Sequence, residues 1–279
     1  MSKPVASVVV PAHDEEAVLG RCLDVLLAGA RPGELDVVVV ANACTDRTAA
    51  VAQRPGVRVL STSKPGKANA IRLGDAECVT FPRVYLDADV ELSAGSVRAL
   101  AAALGRPGVL AGAPVPDWDL AGASWLARRV HRVHERLIGP SRGLAGAGVY
   151  VLGAEGHARA FPLPDLISDD GWVHRSFTAA ERAVVPAARS LVRPARTVRA
   201  HLKRRVRVRL GNRQLAALGK PAADGPLRLG SLGALVRART VNPLDAACYL
   251  GVLLADRVLS RRRSGGAEVA WSRDGSSRG

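Results

Sequence analysis

The chain has few aromatic residues and no long apolar run. Phe, Tyr and Trp make up 4% of its 279 residues, so Ala, Val and Leu must fill the core that a hydrophobic fraction of 48% allows. No apolar run reaches the roughly 18 residues that a membrane-spanning helix needs. Residues 1–4 lead directly into a strand pattern, which leaves no room for a signal peptide. We therefore expect one large domain, or a domain with a tail, in the cytoplasm.

Cysteine is also scarce. The four cysteines are widely separated, at Cys22, Cys44, Cys78 and Cys248. None of them forms the Cys-x-x-Cys spacing that is typical of a zinc site. Scattered cysteines in a cytosolic protein are reduced thiols. The sequence thus predicts neither a zinc site nor a disulfide framework.

Positive charge is abundant but uneven. The net charge is +15, and residues 193–263 alone hold 17 Lys and Arg against three Asp. This asymmetry predicts an anionic partner for the C-terminal part: a phosphate, a nucleic acid or an acidic lipid. Nucleic-acid-binding segments interleave basic residues with aromatics, and residues 193–213 contain none. We therefore expect no nucleic acid partner, and keep a basic, non-catalytic polyanion-binding protein as an alternative.

Short β-branched runs alternate with helical stretches from residue 5 to residue 113. This alternation predicts an α/β fold, a doubly wound and mostly parallel sheet, whose ligands bind beyond the carboxyl ends of the strands. The predicted strands are 5–10, 36–41, 57–60, 83–86 and 109–113. The predicted helices are 15–28, 46–53, 67–77 and 93–104, the last with Ser93 as its N-cap.

Polar residues follow three of these strands. His13, Asp14 and Glu15 come after the first, Asn42 and Asp46 after the second, and Asp87 and Asp89 after the fourth, as the sequence order shows. Two acids one residue apart are costly to bury without a cation, and hard oxygen ligands suit Mg²⁺ or Mn²⁺. The glycine-rich loops GxGxxG and GxxxxGK[ST] are absent. A metal would therefore have to neutralise the phosphates of a bound nucleotide.

The rest of the chain contains fewer patterns. Residues 117–139 form an amphipathic helical stretch, on which we expect His131 and His134 to be surface residues. A glycine-rich segment, 143–150, precedes the adjacent acids Asp169 and Asp170. Residues 219–233 have the composition of a loop, and 242–259 that of a helix. The tail, 264–279, is rich in Ser and Gly, which predicts disorder.

Five blocks in this order resemble the family 2 glycosyltransferases, which are inverting enzymes with the GT-A fold. Arg72 departs from the pattern, since members often carry Asn two residues after the third block. The blocks are Val8-Val-Val-Pro-Ala-His-Asp-Glu-Glu16, Val38-Val-Val-Ala-Asn-Ala-Cys-Thr-Asp-Arg-Thr48, Lys64-Pro-Gly-Lys-Ala-Asn-Ala70, Asp87-Ala-Asp89 and Ser168-Asp-Asp170.

The resemblance implies a role for residues in each block. Asp89 would be the direct ligand of Mn²⁺ or Mg²⁺, with Asp87 assisting through the ribose or the metal. Asp170 would be the catalytic base, with Asp169 beside it as the next candidate. His201 is either a third metal ligand, as in some GT-A enzymes, or a surface histidine. The implied nucleotide-sugar contacts are Pro11, His13, Glu15, Asn42, Asp46, Lys67, Asp87, Ala88 and Arg207.

The acceptor side has fewer candidates. Gly146 and Gly148 would line it, since small residues permit close backbone approach, and Trp172 would complete it. A simple tight turn is the alternative for the two glycines. The acceptor would be a hydroxyl compound, either lipid-linked or a small natural product, and the donor a UDP-sugar in first place. A nucleotidyltransferase on a related fold is the alternative enzyme. Such an enzyme would need a basic, glycine-rich loop after the first strand, where the segment Pro11-Ala-His-Asp-Glu15 of this chain is acidic.

The basic segment admits two interpretations. In an extended conformation, Arg205, Arg207 and Arg209 would form one cationic face, and family members often place a mobile basic segment here that closes over the diphosphate. A solvated charge run is the alternative. The helix at 242–259 would either dock on the domain or lie peripherally at the inner face of the membrane, with residues 261–263 on anionic lipid.

These features divide the chain into three parts. Residues 1–215 would form the GT-A domain, with a Rossmann-like nucleotide-sugar-binding half at 1–113 and an acceptor and catalytic-base half at 114–215. Residues 216–263 would form a basic, helical C-terminal extension, and residues 264–279 the disordered tail.

Overall fold

The computed structural model of the chain describes residues 3–139, 142–220 and 229–262. The tail predicted at 264–279 and the greater part of the loop predicted at 219–233 lie outside these residues. The end of that predicted loop is instead helical from residue 229. No helix within the described residues is long and apolar enough to cross a bilayer.

One eight-stranded sheet organises the molecule. Its order is β3-β2-β1-β4-β7-β6-β8-β5. Strands β1, β2, β3 and β4 pair in parallel, and β7 joins β4 antiparallel to extend the sheet into the second half of the chain. The strands are β1 (Ala6–Ala12), β2 (Leu35–Asn42), β3 (Val57–Thr62), β4 (Arg83–Leu86), β5 (Glu91–Leu92), β6 (Ala111–Trp118), β7 (Val149–Leu152) and β8 (Arg182–Val192).

Ten helices flank or extend this sheet within the described residues. The predicted α/β fold is confirmed, and β1 is buried along its whole length, as expected of a strand covered on both faces. The helices are α1 (Leu19–Leu27), α2 (Thr48–Ala52), α3 (Lys67–Ala76), α4 (Ala94–Leu104), α5 (Trp125–Ile138), α6 (Ala154–Ala160), α7 (Asp169–His174), α8 (Val198–Ala217), α9 (Leu229–Arg237) and α10 (Pro243–Arg262).

Capping residues fix several helix starts. Ser93 caps α4 as predicted, because its Oγ accepts a hydrogen bond from the Ser96 N–H at 3.1 Å. Ser124 caps α5 in the same way, so this helix begins at residue 125 rather than near 117. Helix α1 begins at Leu19 and not at Glu15, whose N–H instead donates to Thr48 Oγ1 at the start of α2, at 2.6 Å.

The basic segment is helical, so the extended interpretation is wrong. Thr197 caps α8 by accepting from the Ala200 N–H, and the helix continues for 20 residues. Helical spacing puts Arg205 and Arg209 on one side of α8, where both bind Asp256 of α10, at 2.8 and 2.5 Å. The local alternation of Arg and Val suggested a strand, whereas a long-range ion pair favours the helix.

The C-terminal helices dock on the domain. Val130 and Val133 of α5 pack in one cluster with Tyr249 and Val252 of α10. Asp245 of α10 also forms an ion pair with Arg129 of α5. The docking interpretation of the 242–259 helix is therefore the one that the structure shows.

Three histidines meet between α5 and α8. The ring centroids of His131 and His201 lie 5.3 Å apart, and those of His134 and His201 lie 6.4 Å apart. His201 is 7% exposed, and the other two are half-buried. The surface positions expected for these residues are wrong, because the docking of α8 and α10 covers this face of α5.

Candidate active site

A cleft opens at the carboxyl end of the sheet, where β1 and β4 lie side by side. It lies between the end of β4, the start of α3, the start of α7 and the turn that leads into β7. The acid motif after β4 and the acid pair of α7 are far apart in the sequence and meet in this cleft. The polar and aromatic side chains that line the cleft are Lys67, Tyr85, Asp87, Tyr150, Asp169 and Asp170.

Lys67 joins the two acid motifs. Its Nζ lies 2.6 Å from Asp87 Oδ1 and 2.9 Å from Asp169 Oδ1. Burial opposes a charge on Lys67, but Asp169, Asp87 and Asp170 outweigh this effect and raise its pKa above the usual value. The lysine is therefore a fixed cation at the centre of the cleft.

The acid pair of α7 is electrostatically asymmetric. Burial raises the pKa of Asp169, opposed by Lys67 and reinforced by the charges of Asp170 and Asp87. Burial works in the same direction on Asp170, yet Lys67 and three hydrogen bonds lower its pKa below the usual value. Of the two acids, Asp170 is therefore the one that is reliably ionised.

Asp170 is held by hydrogen-bond donors. Its Oδ1 accepts from the Gly171 N–H at 2.7 Å and from Ser168 Oγ at 2.9 Å. Its Oδ2 accepts from the Gly146 N–H at 3.0 Å. Gly146 has a φ of +85°, a backbone conformation that glycine adopts at little cost. This contact links the glycine-rich turn to the acid pair.

Gly148 supports the acid motif after β4. Its carbonyl accepts a hydrogen bond from the Asp87 N–H at 2.9 Å. Its φ is +67°, and a Cβ at this position would lie 2.4 Å from Val90 Cγ2. Asp87 and Asp89 lie half-buried on the turn after β4, and Ala88 between them is buried. The turn after β4 thus requires a glycine immediately before the neighbouring strand β7.

The loops after β1 and β2 bind each other. His13 Nδ1 lies 2.7 Å from the Asn42 carbonyl, and Asp14 accepts from the Thr45 N–H at 2.5 Å and the Asp46 N–H at 3.2 Å. Asp46 in turn accepts from the Thr48 N–H at 2.9 Å at the start of α2. These contacts bring the predicted residues of the two loops to one edge of the sheet.

Asn42 lies at the end of β2 with its side chain buried. It is 0% exposed, and both polar atoms of its amide lack a hydrogen-bond partner among the described residues. A buried amide without a partner is rare, because leaving it unpaired costs about 1–3 kcal/mol. The side chain is therefore poised to bind a group that enters from the cleft edge.

The ligand atoms of His13, Asp14 and Cys44 all lie within 4.8 Å of one another. The Cys44 thiol donates to the Ala12 carbonyl at 3.5 Å, and burial raises its pKa. A protonated thiol is a poor metal ligand. We interpret this cluster as part of the link between the two loops.

Sequence reasoning missed two tyrosines of the cleft. Tyr85 and Tyr150 stack with ring centroids 4.8 Å apart. Tyr150 is 3% exposed, and its hydroxyl has no hydrogen-bond partner among the described residues. Both tyrosines lie next to segments that were predicted to form the site, and this was the available signal. The strand pattern alone indicated only that they belong to the core.

Arg72, the departure from the family pattern, also has a structural role that the sequence did not indicate. Its guanidinium donates to the Leu163 carbonyl at 2.7 Å and to Asp165 Oδ1 at 2.6 Å. These residues precede α7. Helix α3 therefore holds the acid-pair segment at two places, through Lys67 and through Arg72.

Three predicted residues lie on α7 and α8. Trp172 is half-buried, and its indole N–H donates to the Ala160 carbonyl at 2.9 Å. Arg207 and His201 lie on α8, and His201 is next to His131 in the histidine cluster. Their roles toward acceptor, phosphate and metal stay predictions.

The family is decided by comparison with known proteins. A family model described as Glycosyl transferase family 2 matches residues 7–145. An uncharacterized glycosyltransferase of Mycobacterium bovis is 31% identical over 185 residues, which span 62% of this chain and 83% of the relative. Two uncharacterized glycosyltransferases of Mycobacterium tuberculosis match equally well. The chain belongs to the family 2 glycosyltransferases.

Solved structures of other glycosyltransferases share the fold of this one. A mannosyltransferase from Pyrobaculum calidifontis in complex with GDP-Man and Mn²⁺ superposes with a TM-score of 0.58 at 18% identity, covering 96% of this chain and 77% of that one. Glucosyl-3-phosphoglycerate synthase from Mycobacterium tuberculosis, in complex with Mn²⁺, UDP-glucose and phosphoglyceric acid, gives 0.55 at 21% identity, covering 78% and 81%. At these identities the likeness concerns the fold, and the GT-A fold expected for this glycosyltransferase is confirmed.

Proposed function

We propose that this glycosyltransferase moves a sugar from a nucleoside diphosphate sugar to an acceptor hydroxyl, with inversion at the anomeric carbon and Asp170 as the general base. The observation that carries the proposal is the state of Asp170. It is a half-buried carboxylate in the cleft, kept ionised by Lys67 and by three hydrogen-bond donors. A carboxylate that accepts the acceptor proton contributes typically about 10²–10⁴-fold to the rate.

The donor would lie along the carboxyl edge of β2, β1 and β4. The unpartnered amide of Asn42 supports a contact with the base there, because an amide can both donate to and accept from a base edge. His13, Glu15 and Asp46 lie in the two adjoining loops. Pro11 and Lys67 line the cleft between this edge and the acid pair. In this order the base, the ribose and the diphosphate would follow one another toward Asp87.

A divalent metal fits the acid motif. The cleft already holds one cationic atom, Lys67 Nζ, between the carboxylates of Asp87 and Asp169. Carboxylate oxygens are the ligands that Mn²⁺ and Mg²⁺ prefer. Asp89 and Asp87 would hold the ion, which when bound stabilises the charge that develops on the leaving diphosphate. The neighbouring mannosyltransferase and glucosyl-3-phosphoglycerate synthase are Mn²⁺ complexes, in support of this assignment.

The acceptor hydroxyl would enter from the side of the glycine-rich turn. Gly146 binds Asp170 through its N–H, so a ligand packed on this turn lies next to the base. A hydroxyl that loses its proton to a single base and attacks in line with the leaving group inverts the anomeric centre. We propose the same residues, Gly146 and Gly148 with Trp172, for the acceptor side.

The test is a thermal-shift titration of the purified protein with UDP, GDP, dTDP and their common sugars, with and without Mn²⁺. A ligand at about 100 times its Kd adds roughly 2.7 kcal/mol to the free energy of unfolding. We expect stabilisation by one nucleotide that requires the metal, with a UDP-sugar as the first candidate.

Two variants make the titration specific. Asp89→Ala should lose the metal-dependent stabilisation, whereas Asp24→Ala, which changes an exposed acid of α1, should keep it. Stabilisation by a nucleoside triphosphate and by no nucleoside diphosphate would favour the nucleotidyltransferase alternative. Absence of any nucleotide effect, together with salt-dependent binding to polyanions, would instead favour the non-catalytic binding protein.

A further inference from the structure

Helix α10 contains a run of ten residues without a charged side chain, from Ala246 to Ala255. A run of this length turns almost three times around a helix, so it makes the helix apolar on every side. A helix that is apolar all round is ordinarily buried on every side. One side of α10 meets this expectation and the other does not.

The inner side of α10 packs on the domain. Tyr249 and Val252 are 2% and 6% exposed, and they lie in one cluster with Val130 and Val133 of α5. This contact accounts for half of the apolar run.

The outer face of α10 is exposed. Leu244, Leu250 and Leu254 are 49%, 41% and 64% exposed. Their spacing of six and four residues, with small exposed residues between them, places them on one side of the helix. The outer face consists of Leu244, Ala247, Leu250, Gly251, Leu254 and Ala255.

The exposed charges of residues 229–257, which include α9 and most of α10, have one sign. Asp245 and Asp256 are 6% and 4% exposed. Asp245 forms an ion pair with an arginine of α5, and Asp256 forms ion pairs with two arginines of α8. Within residues 229–257 the described surface therefore presents no exposed acid. It does present the exposed cations Arg237, Arg239 and Arg257.

We propose that the outer face of α10 docks the protein peripherally on a bilayer that contains anionic lipid. Such binding has two components. Apolar side chains, here leucines, enter the headgroup region, and neighbouring cations bind the acidic headgroups. A second copy of the chain fits less well, because a symmetric contact through this face would bring the same cations together. A nucleic acid would use the cations and leave the leucines in water. The docking does not depend on the function proposed above.

The docked face connects to the acid pair through a single helix. Helix α8 binds Asp256 of α10 through Arg205 and Arg209. At its other end Gln214 Oε1 accepts from the Ile167 N–H at 2.9 Å, and Gly211 packs against Ser168. If Asp170 is the base, α8 would link a bilayer under α10, and a lipid-linked acceptor in it, to the segment that carries the base. This last step alone rests on the proposed function.

Vesicle flotation tests the docking. The full-length protein is mixed with vesicles of phosphatidylcholine alone, or with about 30% phosphatidylglycerol to supply a negative surface potential. We expect the protein to float with the anionic vesicles and to stay behind with the neutral ones. The double variant Leu250→Gln/Leu254→Gln should lower the partition coefficient about tenfold or more, since two apolar side chains lose their burial in lipid.

The matched control is Val79→Gln, which changes an apolar side chain that is 63% exposed outside the C-terminal helices. It should float like the unaltered protein. Arg237→Gln/Arg257→Gln should weaken binding about fivefold for each charge removed, and the loss should shrink at high salt.

A third variant separates insertion from simple charge attraction. Leu254→Lys adds a cation to the outer face while removing an apolar contact. Insertion predicts weaker flotation, whereas attraction alone predicts stronger flotation. Because Leu254 is solvent-exposed, the melting temperature should change little, and nucleotide-dependent stabilisation should be the same in every variant.

Three results would overturn the proposal: no flotation with either vesicle, flotation that Leu250→Gln/Leu254→Gln leaves intact, or stronger flotation by Leu254→Lys. A concentration-dependent dimer that the double glutamine variant abolishes, without vesicle binding, would assign the face to a second copy instead. Failure of nucleotide binding with intact flotation would count against the proposed function and not against the docking.

Discussion

Asp169 and Asp170 are neighbours in sequence, yet their environments push their pKa values in opposite directions. Burial dominates at Asp169, whose nearest partner is the single ammonium of Lys67. Asp170 receives the Gly146 and Gly171 N–H groups as well, and these hydrogen bonds favour its charged form. Asp169 is thus the acid that fixes Lys67, and Asp170 is the one that we propose for proton transfer.

Asp170→Asn should lower turnover about 10²–10⁴-fold and leave donor affinity within a few-fold of the original, because the amide cannot take a proton but keeps the size of the side chain. Single-turnover kinetics and nucleotide titration measure the two quantities separately. Asp24→Asn, at an exposed acid of α1, is the control and should retain full turnover. If Asp170→Asn turns over normally, the base assignment is wrong and passes to Asp169.

The two positive-φ glycines of the turn before β7 give a matched pair. Alanine at either position costs about 1–2 kcal/mol for the left-handed conformation. At Gly148 the new Cβ would also lie 2.4 Å from Val90 Cγ2, whereas at Gly146 nothing lies within 4 Å. Gly148→Ala should therefore destabilise by about 1–3 kcal/mol more, the usual cost of overpacking. Urea unfolding of both variants measures the difference, and equal losses would contradict the geometry.

At the scale of elements, α8 and α10 depend on each other through one buried carboxylate. Asp256 is 4% exposed and faces Arg205 and Arg209. Removal of one partner of a buried ion pair typically costs about 3–5 kcal/mol, since the remaining charge stays buried without compensation.

Asp256→Ala should lower the free energy of unfolding by about 2–4 kcal/mol, slightly less than the fully buried case because both arginines keep some contact with water. Asp165→Ala, whose side chain is 76% exposed in its ion pair with Arg72, should cost less than about 1 kcal/mol. Thermal unfolding of both variants compares them directly. Similar losses would mean that Asp256 is not what holds α8 to α10.

The histidine cluster between α5 and α8 makes the docked helices sensitive to acid. Burial, reinforced by the charges of neighbouring histidines and arginines, lowers the pKa of His134 from 6.5 to about 3 and that of His201 from 6.5 to about 4. The folded state therefore keeps these rings neutral at a pH where the unfolded chain already binds protons. Stability is complete above about pH 6.5 and falls as the pH drops toward 4.

Each histidine that stays neutral should contribute a slope of about 1.4 kcal/mol per pH unit below pH 6.5. Melting temperatures between pH 7.5 and 4.5 measure this slope. The double variant His134→Gln/His201→Gln should be flatter over the same range, because glutamine does not titrate. An unchanged slope in the variant would place the acid sensitivity elsewhere.

At the scale of the whole molecule, the N-terminal half at 1–113 was predictable from sequence and the rest of the chain was much less so. Strands such as β1 and β2 are continuous β-branched runs, and the polar residues that follow them must meet at one sheet edge, so Asn42, Asp46 and Asp87 could be placed from sequence. Local patterns do not contain the long-range pairs, however. Asp256 binds Arg205 and Arg209 on one side of the helix at 198–217, and the stacking of Tyr150 on Tyr85 depends on β7 entering the sheet beside β4.

The C-terminal helices show why two alternatives from sequence need not exclude each other. The apolar composition of α10 was compatible with docking on the domain and with a membrane interface. The structure shows docking through one side, and the other side is the surface proposed for lipid. A sequence gives the composition of a helix, but only the neighbours of Tyr249 and Leu254 show which side is used.

The ammonium of Lys67 is enclosed between Asp87 and Asp169, so chemical footprinting of this one lysine can report on the cleft. Acylating reagents attack the neutral amine, and a lysine with a raised pKa that is paired with two carboxylates offers very little of it. The exposed Lys64 and Lys203 should be modified long before Lys67. Peptide mass spectrometry can follow the rate of acylation at Lys67. This rate reports how often the two carboxylates move away from the amine.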